Sequence, residues 1–218
     1  MSTPDGPRPL VDTGEMRRRL TAALAGLAGD EPVVRRLLTD SSPKVRAAAL
    51  TSLANMGRAQ PDDVHRALRD PDPGVRRSTC ELAGRIAAAD FSPLLDDDDP
   101  FVVEAAAFAV GESGDRRACR RLSEIARSHP DPLCRESAVA ALGAIGDVSG
   151  RAAVLAALGD TPSIRRRAVV ALAAFPGKTA NAALRERLSD RDWQVRQAAG
   201  EVLGVGGDAN GAGGDGAP

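Results

Sequence analysis

One short pattern returns six times along this chain, and it restricts the fold to a row of similar helical units. Val45, Val75, Val102, Cys134, Ile164 and Val195 can be aligned with spacings of 30, 27, 32, 30 and 31 residues. Three residues before each anchor stands Ser42, Asp72, Asp99, Asp131, Thr161 or Asp192. All are residue types whose side-chain oxygen can accept from the unpaired amides of a helix's first turn. Next come Pro43, Pro73, Pro100, Pro132, Pro162 and, in the last copy, Trp193. Proline suits the first helical turn, because the N–H it lacks would have no partner there. A cap followed by proline, repeated in register, predicts six helix starts.

The helices themselves repeat as well. Ala49, Thr79, Ala106, Ala138, Ala168 and Ala199 lie four residues after the anchors. Leu53, Ala83, Val110, Leu142, Leu172 and Leu203 lie eight after, so each set shares one helical face with its anchor. The uniformly small first set predicts a close approach by a neighbouring helix. Gly57, Gly114, Gly146 and Gly207, twelve after the anchor, predict helix C-termini, with Ala87 and Pro176 in that place in the second and fifth copies. Between successive starts there is room for a second helix, over 30–39, 61–69, 115–128, 148–158 and 178–189. In the second copy, 91–96 leaves space for only about one turn. A further helix over 15–28 precedes the first copy. The expected organisation is a disordered tail over 1–13, a repeat array over 14–206 and a disordered Gly-, Ala- and Asp-rich tail over 207–218.

Composition agrees with this pattern. Apolar residues make up 43 % of the 218 residues but aromatics only 2 %, so the core must be Ala, Leu and Val, which favours helices. The chain has 29 Lys plus Arg against 30 Asp plus Glu. A net charge of -1 argues against a general nucleic-acid binder, which needs excess positive charge. Cys80, Cys119 and Cys134 are too few and too scattered for a disulfide framework. They read as small buried hydrophobes in a reducing compartment, and the expected location is the cytoplasm. No apolar run is long enough to span a membrane.

The segments Asp40-Ser-Ser-Pro-Lys-Val45-Arg46, Asp70-Pro-Asp-Pro-Gly-Val75-Arg76, Asp160-Thr-Pro-Ser-Ile164-Arg165 and Asp190-Arg-Asp-Trp-Gln-Val195-Arg196 resemble the short HEAT-like repeats named after phycobilisome lyases. The resemblance covers about residues 30 to 206. It implies an all-α fold, an α-α superhelix (HEAT-like solenoid) of about six helical hairpins, with a concave surface lined by the second helices. The third copy departs from the pattern, with Val103 in place of the arginine that follows the anchor.

That arginine (Arg46, Arg76, Arg135, Arg165, Arg196) recurs together with the packing residues, so pairing with Asp40, Asp70 or Asp190 to tie repeats together is its expected role. The run Asp96 to Asp99 reads as a solvated loop with Asp99 as a cap. The candidate partner-binding residues are Arg116, Arg117, Arg120, Arg121 and Arg127, an exposed basic face opposite the apolar stripe of Ala118, Leu122 and Ile125. Trp193 is expected to cover the open end of the array or to anchor an interface. Val202, Leu203 and Val205 form an apolar end with no helix after it. His65 and His129 are the only histidines and neither sits in a His-Glu pair. No catalytic, metal-ligating or cofactor-binding set is therefore expected, and no cofactor. The expected function is a non-catalytic scaffold that binds a protein partner through the concave face. The alternatives are a lyase- or oxidoreductase-like accessory handling a chromophore or substrate, and a nucleic-acid-binding HEAT-like protein.

Overall fold

The computed structural model describes residues 13–86 and 89–205, so the expected tails over 1–13 and 207–218 lie outside the described residues except for Thr13, which opens a helix, and Ala87 lies outside them too. Among the described residues there are twelve α-helices and no strand. Two compact units divide the chain, one up to Ala89 and one from Asp90.

The first unit holds α1 (Thr13–Ala28), α2 (Glu31–Leu37), α3 (Pro43–Asn55), α4 (Pro61–Ala67) and α5 (Pro73–Cys80). Helices α1, α3 and α5 form one layer, with α2 and α4 wedged against them. Ala22, Val34, Ala49 and Leu53 make the centre, closed by Ala25, Leu37, Leu38 and Met56. The second unit opens with a 3-10 turn (Ser92–Asp96) and continues with α6 (Pro100–Ser113), α7 (Cys119–Ser128), α8 (Pro132–Ile145), α9 (Arg151–Ala157), α10 (Pro162–Ala171), α11 (Lys178–Arg187) and α12 (Trp193–Leu203). Here α6, α8, α10 and α12 are the first layer, and α7, α9 and α11 the second. The six anchors are all buried, as are the six residues four positions on.

All six helix starts fall where the spacing places them. Four of the six expected caps act as such: the amides of Gly74, Phe101, Leu133 and Gln194 donate to Asp72, Asp99, Asp131 and Asp192 at 2.8–2.9 Å. Ser42 and Thr161 do not cap. The Ser42 hydroxyl donates to Glu15 at 3.0 Å, and the Thr161 amide donates to Asp160 at 2.7 Å. Helices α6, α8 and α12 end on left-handed Gly114, Gly146 and Gly204. Gly204 thus does what was expected of Gly207. Helix α5 stops at Cys80 and α10 at Ala171, each followed closely by a 3-10 segment, Ala83–Arg85 and Leu172–Ala174. Tightening into 3-10 geometry is a common way for a helix to end.

Successive first helices pack almost backbone to backbone. A Cβ on Gly143 would stand 2.8 Å from Ala171 Cα, and one on Gly111 would stand 3.0 Å from Ala141 Cα. In the first unit Gly26 meets Ser52 in the same way.

The repeating arginine fastens the turns. Arg46 donates through Nε and Nη2 to both oxygens of Asp70 (2.8 and 2.6 Å) while its Nη1 donates to the Asp40 carbonyl (2.9 Å). Arg135 does the same with Asp160 (2.8 and 3.0 Å) and the His129 carbonyl (2.9 Å). Arg165 grips Asp190 (3.0 and 2.7 Å) and the Asp160 carbonyl (2.9 Å). Each guanidinium therefore ties its own turn to the carboxylate of the next. In α6 the position is the buried Val103, and the series is interrupted there.

The Arg165 and Asp190 side chains are only 5 % and 3 % exposed, so removing one leaves a buried, unmatched charge. Arg165→Ala should lower unfolding free energy by about 3–5 kcal/mol, read by urea denaturation. The carboxylates also carry a pH signature. Hydrogen bonds from Arg135 and Arg165 hold Asp160 and Asp190 below the usual 3.8, more than offsetting burial, which acts in the opposite direction. A lowered folded value means the folded state binds fewer protons, so this stability is complete above about pH 5 and is lost as pH falls through the folded values. Asp160→Asn should flatten the acid limb of the stability–pH curve below about pH 4 relative to the parent, measured by urea midpoints at stepped pH.

Candidate functional site

The anchor and its +4 and +8 neighbours point into the core, so other positions of each first helix must face out. In α6 these include Glu104, Phe108 and Glu112, one row at four-residue spacing. In α8 they are Leu133, Glu136, Ser137, Ala140 and Ala144, mostly small. In α10 they are Arg166, Arg167 and Val170, and in α12 Gln194, Gln197 and Glu201, with Trp193 at the helix start.

These residues line three depressions in the outer surface of the first layer of the second unit. One, of about 300 Å³, lies between α6 and α8, with Phe108 and Leu133 as apolar walls and Glu104, Glu112 and Glu136 around them. A second, of about 260 Å³, continues over Ala140, Ala144 and Val170. A third, of about 280 Å³, runs from Val170 to Trp193, Gln197 and Glu201. Arg167 borders all three, so they form one interrupted groove along the layer. Phe108 is 62 % exposed and Trp193 60 %, with Leu133 and Val170 half exposed. Four large apolar side chains on one face are more than scattered exposure accounts for.

The groove's charge is unevenly matched. Arg167 donates to Glu136 at 3.4 Å. Among the described residues, neither Glu104 nor Glu112 has a cation within ion-pairing distance.

The expected basic face is present and lies on the other layer. Arg116 and Arg117 belong to a 3-10 turn (Arg116–Ala118), and Arg120, Arg121 and Arg127 to α7. Ala118, Leu122 and Ile125 are buried behind them. The arginines are engaged locally: Arg116 with Asp147 (3.8 Å), Arg117 with Asp115 (2.8 Å), Arg120 with Glu124 (3.2 Å) and Arg121 with Asp96 (2.7 Å). Arg127 donates to the Ser123 carbonyl. The acidic run is used in the same local way, with Asp97 accepting from the Asp99 amide at 3.0 Å and Asp99 capping α6.

The second helices were expected to line the binding surface; the three depressions lie instead on the first helices of the second unit, which meet closely at glycine and alanine. Phe108, Leu133 and Val170 escaped the sequence reading because, in an apolar-rich helix, they look like core. The available signal was their register: they stand at +6, -1 and +6 from the anchor, off the buried face.

Other chemistry-bearing groups do not gather. His65 lies in the first unit and His129 in the second. Among the described residues no three His, Cys, Asp or Glu side chains are placed to hold a metal ion. Burial pushes the Cys134 thiol up to about 11 and raises that of Cys119, so both stay protonated at neutral pH. No helix is long and apolar enough to cross a membrane among the described residues.

Fold and groove together define a helical-hairpin repeat protein with a partly apolar groove on one layer. HEAT repeats match it at residues 12–83, 31–97, 61–143, 88–169 and 151–210, and the chain belongs to the HEAT repeat family. No curated protein matches it. Among solved structures, human deoxyhypusine hydroxylase in complex with glycerol is 22 % identical over 89 % of this chain and 81 % of that one, with a TM-score of 0.48. Computationally designed armadillo repeat proteins for modular peptide recognition are 17 % identical over 89 % and 94 %, with a TM-score of 0.47. A designed armadillo repeat protein in complex with the peptide (KR)4 is 15 % identical over 91 % and 95 %, with a TM-score of 0.46.

Trp193 is the chain's single tryptophan and lies in the groove, so it reports on that surface alone. Acrylamide should quench its fluorescence efficiently and its emission should be that of a hydrated indole. Blue-shifted, quench-resistant emission would place the side chain in a covered position instead.

Proposed function

We propose that this chain is a non-catalytic scaffold or adaptor that holds a segment of a protein partner in the groove formed by α6, α8, α10 and α12. Within the HEAT family we assign it to the short repeats of phycobilisome-lyase type, on its recurring Asp, Pro and Val-Arg positions. The observation that carries the reading is the exposure of Phe108, Leu133, Val170 and Trp193 along one layer of a compact unit. Apolar side chains held out from a fixed scaffold, rimmed by polar groups, have the anatomy of a protein interface. Trp193 adds the residue type most often found at energetic centres of such interfaces. Cys119 and Cys134 are buried cysteines outside any disulfide, which suits a reducing compartment and supports a cytoplasmic location.

The groove's chemistry disfavours the two alternatives. A polynucleotide laid over the α6–α8 recess would meet Glu104, Glu112 and Glu136 against a single arginine, Arg167, and the excess carboxylates repel phosphate. A chromophore would need more enclosure than depressions of about 260–300 Å³, which stand at the small end of ligand clefts. In this reading the α7 arginines keep the outer layer hydrated.

The test compares partner capture by the parent, by Phe108→Arg with Val170→Asp, and by charge reversal at Arg116, Arg117, Arg120 and Arg121. The groove variant replaces exposed side chains, so its thermal midpoint should match the parent's within a few degrees. Its partner affinity should fall at least about tenfold, as befits loss of interface anchors. Loss on reversing the arginines, with the groove variant unaffected, would move the interface to α7.

A further inference from the structure

We propose that the occupant of the α6–α8 part of this groove is a peptide segment that presents an apolar side chain flanked by lysine or arginine. The proposal rests on the scaffold reading and specifies the chemistry of what is held. Its basis is the arrangement on α6, where Glu104, Phe108 and Glu112 follow one another at four-residue intervals. An exposed aromatic ring therefore has a carboxylate one turn before it and one turn after it. Across the groove, Leu133 supplies a second apolar wall and Gly111, Ala140, Ala141 and Ala144 leave a recess of about 300 Å³.

The charge imbalance selects the flanking residues. Of the three carboxylates around this recess, only Glu136 has a cation of its own, Arg167 at 3.4 Å. The other two face solvent beside apolar surface, with no ion-pair partner among the described residues. The α7 face is different, since Arg116, Arg117, Arg120 and Arg121 each have an acid within 4 Å. An apolar side chain seated between Phe108 and Leu133 would bring its chain neighbours beside Glu104 and Glu112. Cations there gain attraction, whereas carboxylates would face two like charges across a partly dried surface. Discrimination therefore comes from the repulsive arm as much as from the attractive one.

The experiment is selection of a random-peptide display library on the full chain, followed by binding of the enriched peptides as synthetic, fluorescein-labelled probes. The expected result is enrichment of sequences with Leu, Ile, Met or Phe between Lys or Arg residues. Their affinity should weaken about tenfold or more on E104K/E112K and on Phe108→Arg. It should also fall as salt rises from about 0.05 to 0.5 M, because these charges are exposed enough to be screened. Glu104→Gln with Glu112→Gln keeps shape and removes charge, and should weaken basic peptides while leaving the thermal midpoint unchanged. Enriched peptides that are neutral or acidic, yet lost on Phe108→Arg, would overturn the charge preference and leave the groove as the binding surface. Peptides indifferent to every groove substitution would overturn both.

Discussion

The structure depends on one shared hydrogen-bonding device, the arginine that follows the anchor in five of the six copies. A hairpin of this size cannot bury its own apolar face, so stability has to come from the contact between neighbours. Arg46, Arg135 and Arg165 fix that contact by holding the carbonyl of their own turn and both oxygens of the carboxylate one repeat on. A planar fork with five donors can satisfy both demands at once, and a lysine could not. Because the carboxylate also accepts from backbone amides of its own turn, as Asp70 and Asp190 do from Asp72 and Asp192, one pair sets the entry angle of the next helix. The anchor, its small +4 partner and the arginine recur together in five of the six copies, and α6 keeps the first two with Val103 in the arginine's place.

That coupling explains which features were legible in the sequence. The helix starts were readable because cap, proline and anchor are local and fix backbone geometry within a single turn. The second helices were readable as the lengths left over, including the single turn at Ser92–Asp96. The inter-repeat role of the arginines followed from their sharing the period of the core. That Ser42 does not cap was not readable, since its hydroxyl turns to Glu15, a partner that only tertiary placement reveals; nothing in the structure explains why the Thr161 hydroxyl does not cap. The end of α5 at Cys80 was also hidden, falling well before Ala87, where the spacing of the other copies puts it.

The groove was least legible, for a reason rooted in composition. A core of Ala, Leu and Val leaves little contrast between buried and outward apolar residues, so Phe108 and Val170 carry no mark except register. The arginines of α7 drew notice because charge is conspicuous in sequence. In the folded unit that charge is answered by Asp96, Asp115, Glu124 and Asp147. A surface is defined by what remains unmatched after folding, and sequence shows charges before they are matched.

The same close packing that unites the first layer also shapes its outer face. Where Gly111 meets Ala141 and Gly143 meets Ala171, the helices approach without side chains between them. Their outward residues are therefore brought near one another across a shallow floor of Ala140, Ala141 and Ala144. Few large side chains can fit on such a floor, and those present stand proud of it. Phe108 and Leu133 can thus face a common recess only because glycine and alanine hold α6 and α8 so close. A larger residue at Gly111 would push the walls apart and relax the inter-repeat contact together. The groove's shape and the stability of the stack are two faces of one packing constraint, and any partner that gripped both walls of the folded groove would stabilise the stack, the more so the tighter it bound.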